Sequence, residues 1–235
     1  MIETAMQSSV LWLTIARPQA ANALDAATHE ALVAALKDAA QGPQVEAVVL
    51  AAAGIKAYSA GADLSEFSEL PAGCAALRRR ELLLQTIEAL LAFGKPTVAA
   101  VQAPAIGAGA MLALACDRIV MAEGAWMGFP EAKYGMPSPM GAALLARRAS
   151  WQVLQRVLQA GERCAAADAA QAGLVDECVA ADVLSARSQA RAAELAAIPS
   201  HAYAANKAWL NRELIRDIAE AAAHATAHQA ADPSN

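Results

Sequence analysis

"KPTVAAVQAPAIGAGAMLALACDRIVMA", residues 95–122, decides the fold class. After the break at Gly94-Lys95-Pro96, Thr97 to Val101 is a short apolar run of the kind that forms a strand buried on both faces. Gly107-Ala108-Gly109 then opens an apolar helix running to about Cys116. Ile119 to Ala122 reads as the next strand. A buried strand, a small-residue turn, a helix and another buried strand make an α/β crossover.

The same alternation extends in both directions. Upstream, Val10 to Ile15 is β-rich and ends at Arg17-Pro18. Asp25 can cap a helix running to about Ala40, with Leu32, Val33 and Leu36 on one face. Gly42-Pro43 stops that helix, and Val45 to Ala52 predicts a second strand covered on both faces. Gly73 to Phe93 reads as a long helix, with Leu77, Leu84, Ile87 and Leu91 at helical spacing. Downstream, Ser138-Pro139 starts a helix to about Ala149, with Pro at its first position. Short segments alternate after Gly161, and from Asp182 the chain reads as helix interrupted at Pro199. The expectation is an α/β core over residues 1–181 and a helical region over 182–235, with Ala230 to Asn235 frayed.

Composition excludes several classes. The chain has 235 residues, enough for a sizeable core, and is 57% hydrophobic but only 4% aromatic, so small side chains carry the packing. Net charge is −5, and no basic run exceeds Arg78-Arg79-Arg80, which offers no nucleic-acid footprint. No basic segment followed by an apolar run marks a signal peptide. The longest apolar stretch, Thr97 to Ala115, is broken by Pro104, Gly107 and Gly109, so no membrane span is expected. Cys74, Cys116, Cys164 and Cys178 form no CxxC pair and join no His cluster. They read as reduced thiols of a cytoplasmic protein, with no metal site.

Two loops carry the candidate chemistry. Ser59-Ala60-Gly61-Ala62 follows a buried strand, and nothing in it blocks a ligand from the main chain. Gly107-Ala108-Gly109 does the same at the mouth of a helix, where free N–H groups favour an anion. Tight packing explains either loop alone. Two such amides converging on one point would form an oxyanion hole.

The residues around these loops resemble the crotonase family, also called the enoyl-CoA hydratase/isomerase superfamily. Arg17-Pro18-Gln19-Ala20-Ala21-Asn22-Ala23-Leu24 resembles its "RPxxxNAL" motif. Lys56 to Leu64 resembles "KAFxAGADL", and Lys95 to Val101 followed by Ile106 to Gly109 resembles "KPxIAAVNGxAxGGG". Ala115-Cys116-Asp117-Arg118, Gly128-Phe129-Pro130-Glu131 and Gly173-Leu174-Val175-Asp176 resemble "xCDxR", "FGxPE" and "GLVxxV". The matches fall in order over residues 10 to 180.

The resemblance implies a crotonase-like spiral of ββα units, a helical C-terminal region that builds a homotrimer or hexamer, and acyl-CoA thioester substrates. Coenzyme A would arrive as part of the substrate, with no other cofactor. By position, Ala60 and Ala108 would donate to the thioester oxygen, with Gly61, Ala62, Asp63 and Gly107 beside them. Lys56 and Arg17 would lie near the CoA phosphates. Family hydratases use two Glu. The second matches Glu131. Met111 stands where the first is expected, and it has no proton to transfer. Ser138 occupies the place of a Gly-rich turn, where it can donate at the site or cap the helix.

One Glu suits moving a double bond, which needs one proton taken and returned on the same dienolate. The expectation is therefore Δ3,Δ2-enoyl-CoA isomerisation with Glu131 as shuttle. The alternatives are a hydratase of reduced activity, a decarboxylase or thioester hydrolase, and a catalytically silent acyl-CoA binder. Asp63 is expected to cap a following helix. His29, His201, His224 and His228 are expected at the surface. Many members of the family continue beyond the point matching Ala231 with a further helix that helps to cover the CoA site. Without it, the adenine end of CoA is expected to be held more weakly or closed by a neighbouring subunit.

Overall fold

The computed structural model describes residues 1–231, with side chains through 226 except that of Ala72. A hairpin begins the chain: β1 (Ile2–Gln7) pairs antiparallel with β2 (Val10–Ile15), and Ser8 turns at φ 55°. The first helix, α1 (Ala26–Gln41), starts where Asp25 accepts the Thr28 N–H. β3 (Ala47–Ala52), α2 (Ala72–Ala92) and β4 (Thr97–Val101) follow, then β5 (Ala105–Ile106), α3 (Ala108–Ala115), β6 (Arg118–Ala122) and β7 (Trp126–Gly128). The chain continues through α4 (Pro139–Ala146), α5 (Trp151–Leu154), β8 (Cys164–Ala165), α6 (Ala166–Gln171) and β9 (Glu177–Val179). It ends in α7 (Leu184–Ala196) and α8 (Ser200–Ala231).

Six strands form one sheet in the order β1-β2-β3-β4-β6-β9, and every pairing after the first is parallel. Side-chain alternation explains why it is covered twice. Leu13, Ile15, Val48, Leu50, Ala99, Val101, Ile119 and Met121 face the main core with α1, α2 and α3. Val10, Trp12, Ala47, Val49, Val98, Ala100 and Val120 face the other way and are covered by Leu184 and Ala192 of α7. Trp12 donates its indole N–H to Gln189 at 2.7 Å, so α7 is held by a polar tie as well as by apolar contact. The expected double coverage of Val45 to Ala52 is thus met. A second, three-stranded sheet, β5-β7-β8, stands at the ends of β4 and β6 and carries the candidate site.

Three elements differ from expectation. β1 replaces an unassigned N-terminus, because Ile2 to Gln7 has an edge position with one partner and needs no apolar run. No helix follows Asp63 at once; the segment to Leu70 is turns. On α2 the buried stripe is Leu83, Ile87, Leu90 and Leu91, while Leu77 is exposed and Leu84 only partly buried. The helix is rotated from the face that Leu77 and Leu84 define, because Thr86 and Leu83 turn toward α1 and the cavity.

Asn22 ties the loops together. It is 1% exposed with φ 55°. Its amide donates to the carbonyls of Ala53 (2.8 Å) and Ala57 (2.9 Å), and its Oδ1 accepts the Arg17 N–H (2.9 Å). Replacing the NH₂ with an oxygen turns two attractive contacts into repulsions between acceptors. Asn22→Asp is therefore expected to cost about 2–4 kcal/mol of unfolding free energy. Urea denaturation measures it; a change below about 0.5 kcal/mol would refute the role.

Candidate active site

The strand ends of β3 and β4 bring the two small-residue loops side by side. Tyr58 donates to Pro104 O at 3.0 Å, and Ile106 donates to Ser59 O at 2.9 Å. Gly61 has φ 96°, and a Cβ there would stand 3.1 Å from Ile106 O and 3.7 Å from Ala108 N. A Cβ on Gly109 would meet Ser59 Cβ at 2.5 Å. Those glycines let the loops touch.

Which amides remain free follows from the hydrogen bonds. Ala60 N–H donates to Ala21 O at 3.0 Å. Gly61 N–H goes to Ser59 Oγ at 3.2 Å, and Asp63 N–H to Leu24 O at 3.0 Å. The Ala62 N–H, between them, has no acceptor among the described residues, nor has that of Ala108 at the start of α3. Both residues line one cavity. This corrects the expectation for Ala60: its donor is already used, and the free amide lies two residues on. Sequence reasoning missed this because Ala60 and Ala62 are chemically alike, and which of them points inward depends on the bridge from Leu24 to Ala62.

The cavity is about 1000 Å³ and holds Glu131, Met111, Ser138 and the two amides. Glu131 sits on a 3₁₀ turn, Pro130–Tyr134, that begins after β7. Its carboxylate packs on Gly107: a Cβ added there would lie 2.5 Å from Oε1. Oε2 is buried without a hydrogen-bond partner. Burial raises the Glu131 pKa above its ordinary value, and a hydrogen bond from its own backbone N–H offsets only part of that rise. Met111 is 4% exposed, one turn into α3, and lines the same cavity with an apolar side chain.

Ser138 does not cap α4, contrary to the capping alternative. It makes no side-chain cap bond, and its Oγ is buried without a partner. Pro139 removes one N–H from the first turn, and Oγ instead lies against Gly141, where a Cβ would stand 2.7 Å away. Ser138 and Glu131 thus bring two unsatisfied polar groups to one cavity.

Other expected site residues lie elsewhere. Asp63 accepts from Ser65 N–H at 3.1 Å and from Arg17 at 3.0 Å, and is not among the residues lining the cavity. Its pKa is lowered, chiefly by the Ser65 hydroxyl; burial pushes the other way, and bonds from Arg17 and the Ser65 N–H together with the Arg17 charge add to the lowering. Arg17 bridges Asp25 and Asp63, which occupies its charge inside the chain. Lys56 is exposed and outside the cavity wall. His29 is a further correction. It is 4% exposed, lines the cavity, and its Nδ1 lies 2.8 Å from Thr86 Oγ1. Because Thr86 gives its proton to Leu82 O, Nδ1 is the donor to Thr86. Burial pushes the His29 pKa down to about 4, so the ring is neutral at physiological pH. His201 and His224 are exposed as expected, and the side chain of His228 lies outside the described residues.

A spiral of strand and helix with two free amides facing a buried carboxylate is an acyl-transfer or enolate-type architecture. The family model described as enoyl-CoA hydratase/isomerase matches residues 5–233. The chain belongs to that family. Among curated relatives, the Escherichia coli protein named 2,3-dehydroadipyl-CoA hydratase is 36% identical over 178 residues, 75% of this chain and 68% of the relative. A Bacillus subtilis putative enoyl-CoA hydratase/isomerase is 31% identical over 217 residues, 92% of this chain and 83% of the relative. Among solved structures, an enoyl-CoA hydratase/isomerase from Xanthobacter autotrophicus superposes with TM-score 0.88 at 28% identity, covering 96% of this chain and 86% of that one. The crotonase-like fold with its helical C-terminal region is thereby established.

Ser138 is expected to serve ligand rather than fold. Ser138→Ala removes a hydroxyl that has no partner, so stability should change by less than about 1 kcal/mol. Catalytic efficiency on an enoyl thioester should fall about 3–10-fold, the worth of one hydrogen bond. A large loss of stability with unchanged kinetics would make Ser138 structural.

Proposed function

We propose that the chain isomerises 3-enoyl-CoA thioesters to 2-enoyl-CoA thioesters with Glu131 as the one proton shuttle. The observation that carries this reading is the Glu131 carboxylate packed on Gly107, whose Oε2 is buried without a partner, with Met111 in place of a second acid. The thioester oxygen accepts from Ala62 and Ala108 N–H. Glu131 takes a proton from C2, electrons flow into the thioester to give a dienolate, and the same carboxyl returns the proton at C4. The two amides stabilise the enolate, each by about 2.7–4 kcal/mol. Burial helps because a carboxylate with a raised pKa is a stronger base.

Hydration is the second reading, favoured by the hydratase names of several relatives. It needs an activated water as well as a proton for C2, and a lone carboxylate facing an apolar wall supports that less well. The family's trimeric or hexameric assembly belongs to the same proposal. Trp209, Leu210 and Ile198 are exposed and available for it, whereas Leu214 and Ile218 are already buried within the chain.

Glu131→Gln should lower isomerase turnover by about 100-fold or more, as loss of a general base does, with little change in thioester affinity. Its pH dependence has a definite sign. The folded-state pKa is raised, so the wild-type carboxyl costs stability as pH climbs from the ordinary Glu range through the raised value, and that cost is full above it. At neutral pH the Gln variant should therefore melt no lower than wild type, and the wild type should gain on it as pH falls. An unchanged rate in the variant would place the proton carrier elsewhere.

Met111→Glu is expected to confer slow hydration of a short 2-enoyl-CoA, because two carboxylates can hold a water between them. The second buried acid should cost about 1–3 kcal/mol. Loss of the enoyl thioester absorbance, at equal folded fraction, reads the gain. Rapid hydration by wild type would reverse the preference for isomerisation.

A further inference from the structure

His29 brings to the cavity a group that the proposed proton transfer does not use. Leu24 bridges to Ala62, Asp25 caps α1, and His29 lies one turn on, donating its backbone N–H to Asp25 O at 3.1 Å. A turn rises about 5.4 Å, so the ring joins the cavity wall one turn from the segment that holds Ala62. On its other side α1 packs against α2, where Thr86 is buried and Leu83, one turn earlier, lines the same cavity.

The hydrogen bonds fix what the ring presents. Thr86 has one hydroxyl proton, and it goes to Leu82 O at 2.9 Å. Toward His29 Nδ1, 2.8 Å away, Thr86 Oγ1 is therefore an acceptor, and Nδ1 carries the ring proton. The ring is 4% exposed and neutral, so Nε2 holds a lone pair. No donor among the described residues reaches Nε2; the ring's bond is the one through Nδ1. Ala62 and Ala108 offer N–H donors to the same cavity, so its wall presents both donors and an acceptor. An alkyl group laid on Nε2 would strip water from the lone pair and return nothing, whereas an O–H or N–H would complete it.

We propose that His29 is a ligand-binding residue, its Nε2 accepting a hydrogen bond from an O–H or N–H of the bound thioester. The inference rests on the reading of the cavity as an acyl-CoA site. Two groups close to a thioester carry such a proton: a hydroxyl on the acyl chain, and the cysteamine amide of CoA, two carbons from the sulfur. The test separates the two.

The ligands are butyryl-CoA, each enantiomer of 3-hydroxybutyryl-CoA, and a butyryl-CoA analogue with an ester in place of the cysteamine amide. Calorimetric titration is done in a Glu131→Gln background, where turnover is suppressed. If the acyl hydroxyl is the donor, one hydroxybutyryl enantiomer should bind about 3–10-fold tighter than butyryl-CoA; if the amide is, the ester analogue should bind weaker by that factor. His29→Asn can keep a donor at the place of Nδ1 but has no atom at that of Nε2, and should erase the difference. His29→Gln, whose amide reaches the place of Nε2, should keep most of it. Should His29→Asn fail to fold, His29→Phe, which fills the space without an acceptor, takes its place. Equal affinity within both comparisons, or a difference that survives the loss of Nε2, overturns the proposal and leaves the acyl-CoA reading intact. Equal weakening of every thioester by both variants also overturns it and makes His29 a residue of the fold. No binding of any thioester overturns both.

Discussion

The carboxamide of Asn22 is the interaction on which the site depends. It joins the turn after β2 to both ends of the loop after β3, through Ala53 O and Ala57 O. The residue before it, Ala21, takes the Ala60 N–H, and the residue two after it, Leu24, bonds Gly61 O and Asp63 N–H. One turn therefore fixes the main chain on both sides of Ala62. Buried amides are almost always paired. Leaving the Ala62 amide without a partner requires that its neighbours be held firmly enough not to collapse on it. A fully satisfied polar residue here makes a deliberately unsatisfied one possible.

The rest of the site stores unfavourable features in the same way. Gly107 sits at φ 52° and ψ −119°, where a side chain is both strained and blocked by Glu131. Glu131 Oε2 and Ser138 Oγ are buried without partners. Each is costly in isolation, and a bound ligand with matching groups would relieve them. The sheet beneath offsets the cost, because its central strands β3 and β4 bury almost every side chain on both faces. Rigid strands thus end in loops that cannot relax toward their own best hydrogen bonding.

Sequence legibility follows the range of the interactions. β2, β3, β4, α1 and α3 are readable because apolar runs, Asp25, Gly42 and Gly107 act locally. Glu131 is readable through the motif around it. The identity of the free amide is not, because it depends on Leu24 meeting Gly61 and Asp63 across 37 and 39 residues of chain. His29 was expected at the surface because a lone His carries no local sign of burial; its partner Thr86 lies 57 residues away. The face of α2 also escapes periodicity. Leu77, Leu83, Leu84 and Leu91 allow more than one stripe, and only packing against α1, α3 and α8 selects it. The same choice turns Arg79 and Arg80 toward the cavity.

α8 extends this logic to the C-terminal region. Lys207, Asn211, Leu214, Ile218, Ala222 and Ala225 are its buried positions among the described residues, spaced three or four apart, so they form one continuous stripe. At the start of the stripe, Lys207 reaches Asp117 at 2.7 Å, and the same carboxylate accepts from Thr97 N–H at 2.8 Å at the head of β4. Next, Asn211 donates to Leu91 O at the end of α2. At the far end Ala225 lines the cavity and Thr226 holds Arg80. About 27 Å of helix separates Lys207 from Ala225 at 1.5 Å per residue. A helix is stiff over that length, so an ion pair at the base of the sheet sets the rotation of a residue on the cavity wall. Trp209 and Leu210 project from the outer side of the same helix. Anything that packs on them and turns α8 about its axis moves Ala225, and with it the Thr226 contact that positions Arg80.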